Sequence, residues 1–274
     1  MKRLLSPKVC AALVMIAWLA ALVSSWGMSA AGARAIGKDT SCSAGDLENV
    51  GIRLEMASSV SEVPAILAGK PPSAEKAACI RRGETAVVRA DTFFLISYSL
   101  LALTLFLFVR ALRAASGKPS LQGLLLALGV LLALTMAIGD LVENRHLTEL
   151  LQLGGQNPPP SDQIHGQLTG LKTAAYVKMG ALALASLILG ALWPSRSRWV
   201  LALRFFGFAA AALFVGSMVL DLRQEMLDIS GFQLHDWNAA VRGMIAFAAF
   251  ALAALIHAIA TVADREQYSG GPKS

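Results

Sequence analysis

Charged side chains are scarce inside the apolar stretches of this sequence, and the few that occur there could carry chemistry. Asp140-Leu141-Val142-Glu143-Asn144 closes one such stretch. Positions i, i+3 and i+4 share one helix face, so Asp140, Glu143 and Asn144 form a polar edge. Lys178 lies inside the apolar stretch 174–193, roughly one helical turn from its start. A lysine at the centre of a bilayer helix costs roughly 2.5–3.5 kcal/mol, whereas near the boundary it can snorkel to water. Facing inward it needs an acid, and Asp140 and Glu143 are at matching depth on the preceding antiparallel helix. Asp91 and Tyr98 could join them, as could Asp221 and Arg242.

A carboxylate pair beside a lysine permits mutual pKa tuning, which proton relays and general acid–base steps require. Such a cluster also suits an ion or a small ligand. The structural alternative is a set of interfacial charges and helix-end pairs. Glu143, His146 and Glu149 invite a metal reading, but steps of three residues drift around a helix and their spacing matches no zinc pattern. No metal and no cofactor is expected. Walker, dinucleotide, His-Glu-x-x-His and Gly-x-Ser-x-Gly motifs are absent, which argues against nucleotide-driven transport within this chain and the common hydrolase designs.

The elements that must position these groups are six apolar runs, at 9–28, 92–109, 121–139, 174–193, 200–220 and 243–262. Each is near the roughly 20 residues needed to cross a hydrocarbon core of about 30 Å. The chain has 274 residues, 55% hydrophobic and 15% charged, where a soluble domain would carry about 25% charged. Net charge is +6, and its placement is informative. Lys2, Arg3 and Lys8 precede the first run. Arg110, Arg113 and Lys118 follow the second, and Arg196, Arg198 and Arg204 lie around the fourth-to-fifth junction. These clusters contain no acid, whereas the segment from Arg34 to Asp91 holds eight basic and eight acidic residues. The positive-inside rule puts both termini in the cytoplasm. The basic balance therefore reports topology, and no nucleic-acid partner is expected.

The start of the chain also has the form of a signal peptide, with a small-residue exit at Ala33-Arg34-Ala35. Its apolar stretch exceeds the roughly 7–15 residues of a signal core, which favours an uncleaved anchor. Cleavage would leave five spans in the same orientation.

Residues 30–91 form the one sizeable extracytoplasmic domain. Leu47, Val50, Leu54 and Ala57 recur at helical spacing. Ser59-Val60-Ser61-Glu62 has capping-box form ahead of residues 63–67. Ser73 can cap a helix through Ile80. Cys42 and Cys79 both fall here, and a disulfide between them would close a loop worth roughly 3–4 kcal/mol on the entropy model. A structural staple and a redox pair are both open, and the lack of a Cys-x-x-Cys motif favours the staple. Trp193, Trp199 and Tyr176 suit interfacial anchoring.

Spans 3–4 and 5–6 look alike. Asp221, Gln224 and Glu225 repeat the pattern of Asp140, Glu143 and Asn144, and each hairpin returns with a cation, Lys178 or Arg242. Duplication is one explanation and chance the other.

Leu54-Glu55-Met56-Ala57, then Asp91-Thr92-Phe93-Phe94-Leu95-Ile96-Ser97-Tyr98, then Asp140-Leu141-Val142-Glu143-Asn144, then Lys178 follow in order. This order resembles a loose group of uncharacterised bacterial polytopic membrane proteins with Glu-x-Ala, Asp-x-x-Phe-x-x-x-Tyr and Asp-x-x-Glu-Asn signatures. The resemblance covers roughly residues 50–193 and implies no activity. It implies a candidate functional set of Glu55, Asp91, Tyr98, Asp140, Glu143, Asn144 and Lys178.

The expected architecture is all-α, a bundle of six transmembrane helices with a small helical extracytoplasmic domain between helices 1 and 2. The divisions are 1–29, 30–91, 92–193, 194–263 and a cytoplasmic tail at 264–274. A bacterial inner membrane is the expected setting, with membrane lipids as partners and a protein partner possible through the outer domain. A non-enzymatic sensor, assembly or accessory protein leads, because the charges lie near one surface. A small-solute or proton-linked transporter is the alternative, weakened by the lack of any proline within a span. A membrane enzyme acting on lipid or quinone is the third, without a recognisable nucleophile.

Overall fold

Apolar runs in this chain become helices that outlast them. The computed structural model describes residues 6–37, 39–47, 50–55, 57, 59–68, 73–117, 121–156, 160–194, 201, 204–213, 215–216 and 237–263, without side chains at 44, 52, 55 and 237–246. Among these residues the fold is all-α, with no strand. Four helices are long and apolar enough to cross a membrane: α1, Pro7–Ile36; α4, Ala74–Ala115; α5, Gln122–Leu153; and α6, Ser161–Leu192. Shorter helices α2 (Val50–Glu55) and α3 (Glu62–Ala68) lie between α1 and α4. The fifth apolar run contributes α7, Arg204–Leu213, and the sixth lies in α8, Trp237–Ala263. Residues 217–236, which hold the second acidic motif of the repeat, lie outside the described residues.

Local chemistry sets the ends of these helices. α1 runs through Ala33-Arg34-Ala35 and stops at Gly37, whose φ of 55° is the left-handed cap that glycine adopts without strain. The Gly37 N–H donates to the Ala33 carbonyl at 3.1 Å. Ser73 caps α4 as its position suggests, accepting the Lys76 N–H at 3.0 Å. Gly154-Gly155 ends α5, and α6 starts just after Pro160.

Two expectations need correction. The helix from Ser73 does not stop near Ile80, because α4 continues for 42 residues into the apolar run. At 1.5 Å per residue it is about 63 Å long, roughly twice the hydrocarbon thickness. No proline interrupts 80–92, and its one glycine, Gly83, packs so closely that an added Cβ would lie 2.8 Å from Leu47 and 2.9 Å from Ile36. The boundary drawn at residue 91 therefore falls within a helix. Trp193 is not an interfacial anchor. It is fully buried, with edge-on contacts to Phe108 and Phe250 at ring-centroid distances of 5.9 and 6.1 Å.

The chain divides into two compact units, one of residues 1–21, 97–136 and 179–274, the other of 22–96 and 137–178. In the first, Cys10, Val14, Leu105, Phe106, Leu125, Met136, Leu189 and Phe250 pack into one apolar core. Two arginines close the end of α6 there. Arg113 donates to the Leu192 carbonyl at 3.3 Å and Arg204 to the Trp193 carbonyl at 2.8 Å. Helix C-termini leave carbonyls without intrahelical partners, and a cation also complements the helix dipole.

The second unit has its own core, built from Val50, Leu54, Val63 and Leu67 of the small helices and Cys79, Ile80 and Val88 of α4. Leu147, Leu150, Ile164, Leu168 and Leu171 of α5 and α6 complete it. Residues 30–91 alone are marginal for an independent core. The ends of α5 and α6 supply what that segment lacks. Cys42 and Cys79 form a disulfide, with Cα atoms 6.1 Å apart. Lys76 pairs with Asp46 at 2.7 Å, and Arg82 pairs with Asp39.

Many large apolar side chains face outward, among them Ile16, Val23, Leu131, Leu134, Ile138, Leu184 and Leu187. Exposed apolar surface on that scale marks a membrane or protein partner.

Candidate functional site

The polar edge of α5 meets Lys178 within the second unit. Lys178 Nζ lies 2.8 Å from Asp140 Oδ1 and 2.7 and 2.6 Å from the two Glu143 oxygens. Both acidic side chains are only 6% exposed and the lysine 18%. One ammonium therefore bridges two carboxylates three residues apart on one helix face. The approach of α6 to α5 depends on Gly139. A Cβ there would meet Lys178 Cβ at 3.3 Å and the Ala174 carbonyl at 3.4 Å, so a larger residue would push the helices apart.

Asn144, one position beyond Glu143, turns to α4. Its amide Nδ2 donates to Asp91 Oδ2 at 2.7 Å. The same edge of α5 thus ties to α6 through charge and to α4 through a hydrogen bond. Tyr98 belongs to the first unit, where its hydroxyl lies 3.5 Å from the Met136 carbonyl, a long contact for an O–H donor. Glu55 ends α2 and Arg242 lies in α8, both with side chains outside the described set, and Asp221 lies outside it altogether.

The residues of the metal reading diverge. Glu143 binds Lys178, His146 Nδ1 contacts Gln167 Oε1, and Glu149 pairs with Arg145 at 3.1 Å. Among the described residues no group of three or more His, Cys, Asp or Glu is placed to hold a metal.

Outside the spans, two carboxylates of the second unit are electrostatically stabilised. The Ser41 hydroxyl and backbone N–H, with Arg82, hold Asp39 down to about 2. A hydrogen bond from Lys76, then the Ser43 N–H, lowers Asp46.

Sequence reasoning missed an arginine-lined groove in the same unit, with a volume of about 730 Å³, between the last turn of α1, the N-terminal half of α4 and the end of α5. Its signal was the four-residue recurrence Arg81, Thr85, Arg89, Phe93, hidden by the balanced charge of the whole segment. Comparison with protein-family models, with curated proteins and with solved structures finds no match to this chain.

Proposed function

We propose that this chain is a multi-pass protein of the bacterial inner membrane, with six spans and cytoplasmic termini, that works without catalysis. It acts as a sensor, assembly or accessory protein through the unit formed by residues 22–96 and 137–178. The observation that carries this reading is the closed state of the polar cluster. Lys178 is held by Asp140 and Glu143 at 2.6–2.8 Å, so the lysine inside the fourth apolar run and the acids at the end of the third bind each other. The disulfide and the separate core give that unit the rigidity of a docking platform. The four long apolar helices and their outward-facing leucines support the membrane setting, and the acid-free basic clusters support the orientation.

One observation favours a second reading. The cluster holds two carboxylates for one cation, an excess that a proton-linked transporter would use. A photo-crosslinking residue at exposed Arg53, Ala65 or Glu75 tests the first reading in native membranes, with exposed Leu131 as the lipid-facing control. A discrete adduct from the first three positions and none from the control is expected. A protein that stays monodisperse and uncrosslinked would overturn the interaction role. Proton or solute flux in proteoliposomes, abolished by Asp140→Asn, would favour the transporter.

A further inference from the structure

The groove beside α4 has the charge and shape of an anion site with an apolar end. Arg81, Thr85, Arg89 and Phe93 follow one ridge of the helix, about 6 Å apart along its axis. Ala86 and Ala90 lie on the adjoining ridge, and their small side chains leave the space beside the arginines open. The facing walls are Ala35 of α1 and Leu151 and Gln152 of α5.

Three guanidinium groups line this space, and they are not equivalent. Arg82 is committed, with Nε donating to the Ala35 carbonyl at 3.1 Å and Nη2 donating to Asp39 Oδ2. Arg81 lies over the turn after α5, close to Gly155, and Arg89 is exposed. Neither forms an ion pair among the described residues, and no carboxylate lines the groove. Two uncompensated planar cations suit a phosphate, because a guanidinium offers paired donors to two of its oxygens, whereas the Thr85 hydroxyl between them is already donated to the Arg81 carbonyl at 2.7 Å.

The apolar end identifies the source of that phosphate. Phe93 is 70% exposed and opens the apolar run 92–109, one turn below Arg89. A free anion would have no use for that surface. A lipid would place its phosphate on Arg89 and its glycerol and first methylenes along Ala90 and Phe93, with the rest of the headgroup extending toward Arg81. A volume of about 730 Å³ accommodates a headgroup.

We propose that this groove binds the headgroup of an anionic phospholipid from the outer leaflet. The proposal rests on the reading above, in which residues 30–91 lie outside the membrane. An outer unit docked on such a lipid would hold a fixed height and tilt over the bilayer.

The test uses the full chain in neutral detergent, titrated with phosphatidylglycerol, phosphatidylcholine or inorganic phosphate, with bound lipid counted by native mass spectrometry. The parent should prefer phosphatidylglycerol over phosphatidylcholine by about tenfold, roughly the effect of one good charge-assisted contact. Arg81→Gln with Arg89→Gln should remove that preference, while Arg53→Gln, at an exposed site outside the groove, should keep it. Unchanged melting of the three chains would show that folding is intact. Equal binding of both lipids by the parent would overturn the proposal, as would a preference that survives in the double variant. Displacement of the lipid by millimolar phosphate would also overturn it, by making the groove a free-anion site. Arg89→Cys labelled in intact cells by a membrane-impermeant maleimide separates the two levels. Labelling without lipid preference fails the lipid proposal alone, whereas a site reached only from the cytoplasm overturns the topology as well.

Discussion

Replacing Lys178 by methionine keeps the length of the side chain and removes the charge that Asp140 and Glu143 share. The structure sets the scale. At about 2.7 Å and an effective dielectric constant of about 20, each carboxylate attracts the ammonium by roughly 6 kcal/mol before desolvation is subtracted. Because both acids are about 94% buried, neither can recover this from water when the lysine goes. Breaking a buried pair by deleting one partner costs about 3–5 kcal/mol, and that is the expected loss for Lys178→Met. Glu143→Gln should cost less, about 1.5–3 kcal/mol, because Asp140 still neutralises the lysine. Asp140→Asn should cost least, since Glu143 contacts Nζ through both oxygens and carboxylate repulsion is relieved. The neutral triple variant leaves no orphaned charge and should unfold close to the parent. Reversible unfolding in mixed micelles, followed by circular dichroism, measures all four. A cluster that snorkels to water would give losses within about 1 kcal/mol throughout. If Lys178→Met falls in that range, or if the triple variant is no more stable than Lys178→Met, the clamp argument is wrong.

Other consequences follow from single contacts. Cys42→Ser with Cys79→Ser opens a loop with a sequence separation of 37 and should destabilise the second unit by roughly 3–4 kcal/mol. In intact cells neither native cysteine should react with a maleimide. Gly139→Val should cost about 1–3 kcal/mol, because its Cβ alone meets Lys178 Cβ at 3.3 Å and backbone at 3.4 Å, and micellar unfolding would show it. Asp39 has its folded pKa lowered from 3.8 to about 2, so its contribution is complete above about pH 4 and disappears as pH falls toward 2. Asp39→Asn should flatten the acid limb of a melting-temperature profile over that window, and an unchanged limb would show that Asp39 contributes nothing to it.

The parts legible in the sequence were those fixed by spacing along one element. Of the six apolar runs read as spans, four lie in helices long and apolar enough to cross a membrane. Asp140 and Glu143 could be assigned to one face from their separation alone, and Lys178 matched them in depth, but whether Lys178 faced them or snorkelled outward was open in the sequence and is decided by its contacts. Cys42 and Cys79 were the only cysteines outside the apolar runs. What depended on distant packing was not legible. Leu147, Leu150, Ile164, Leu168 and Leu171 lie beside Arg145, His146, Asp162 and His165, so the stretch reads as a loop-flanking helix. Only their contact with Val63, Leu67 and Ile80 makes it half of a core. Trp193 next to Pro194 reads as an interfacial anchor, and the structure buries it instead. Phe108 and Phe250, distant in sequence, pack against it there.

That difference bears on where function is to be sought. A polar residue in an apolar run is conspicuous, so Lys178 draws attention first, yet its charge is spent on Asp140 and Glu143. An arginine in a segment of balanced charge is inconspicuous, yet Arg81 and Arg89 keep guanidinium groups that no described carboxylate neutralises. A bound partner gains free energy only from groups that the protein has not already satisfied, because displacing an internal pair costs the partner what it gains. By that criterion the α5–α6 cluster holds the helices together and the arginine face of α4 is open to a ligand. The two tests are independent, since Lys178→Met is read as unfolding free energy and Arg81→Gln with Arg89→Gln as lipid preference at unchanged stability.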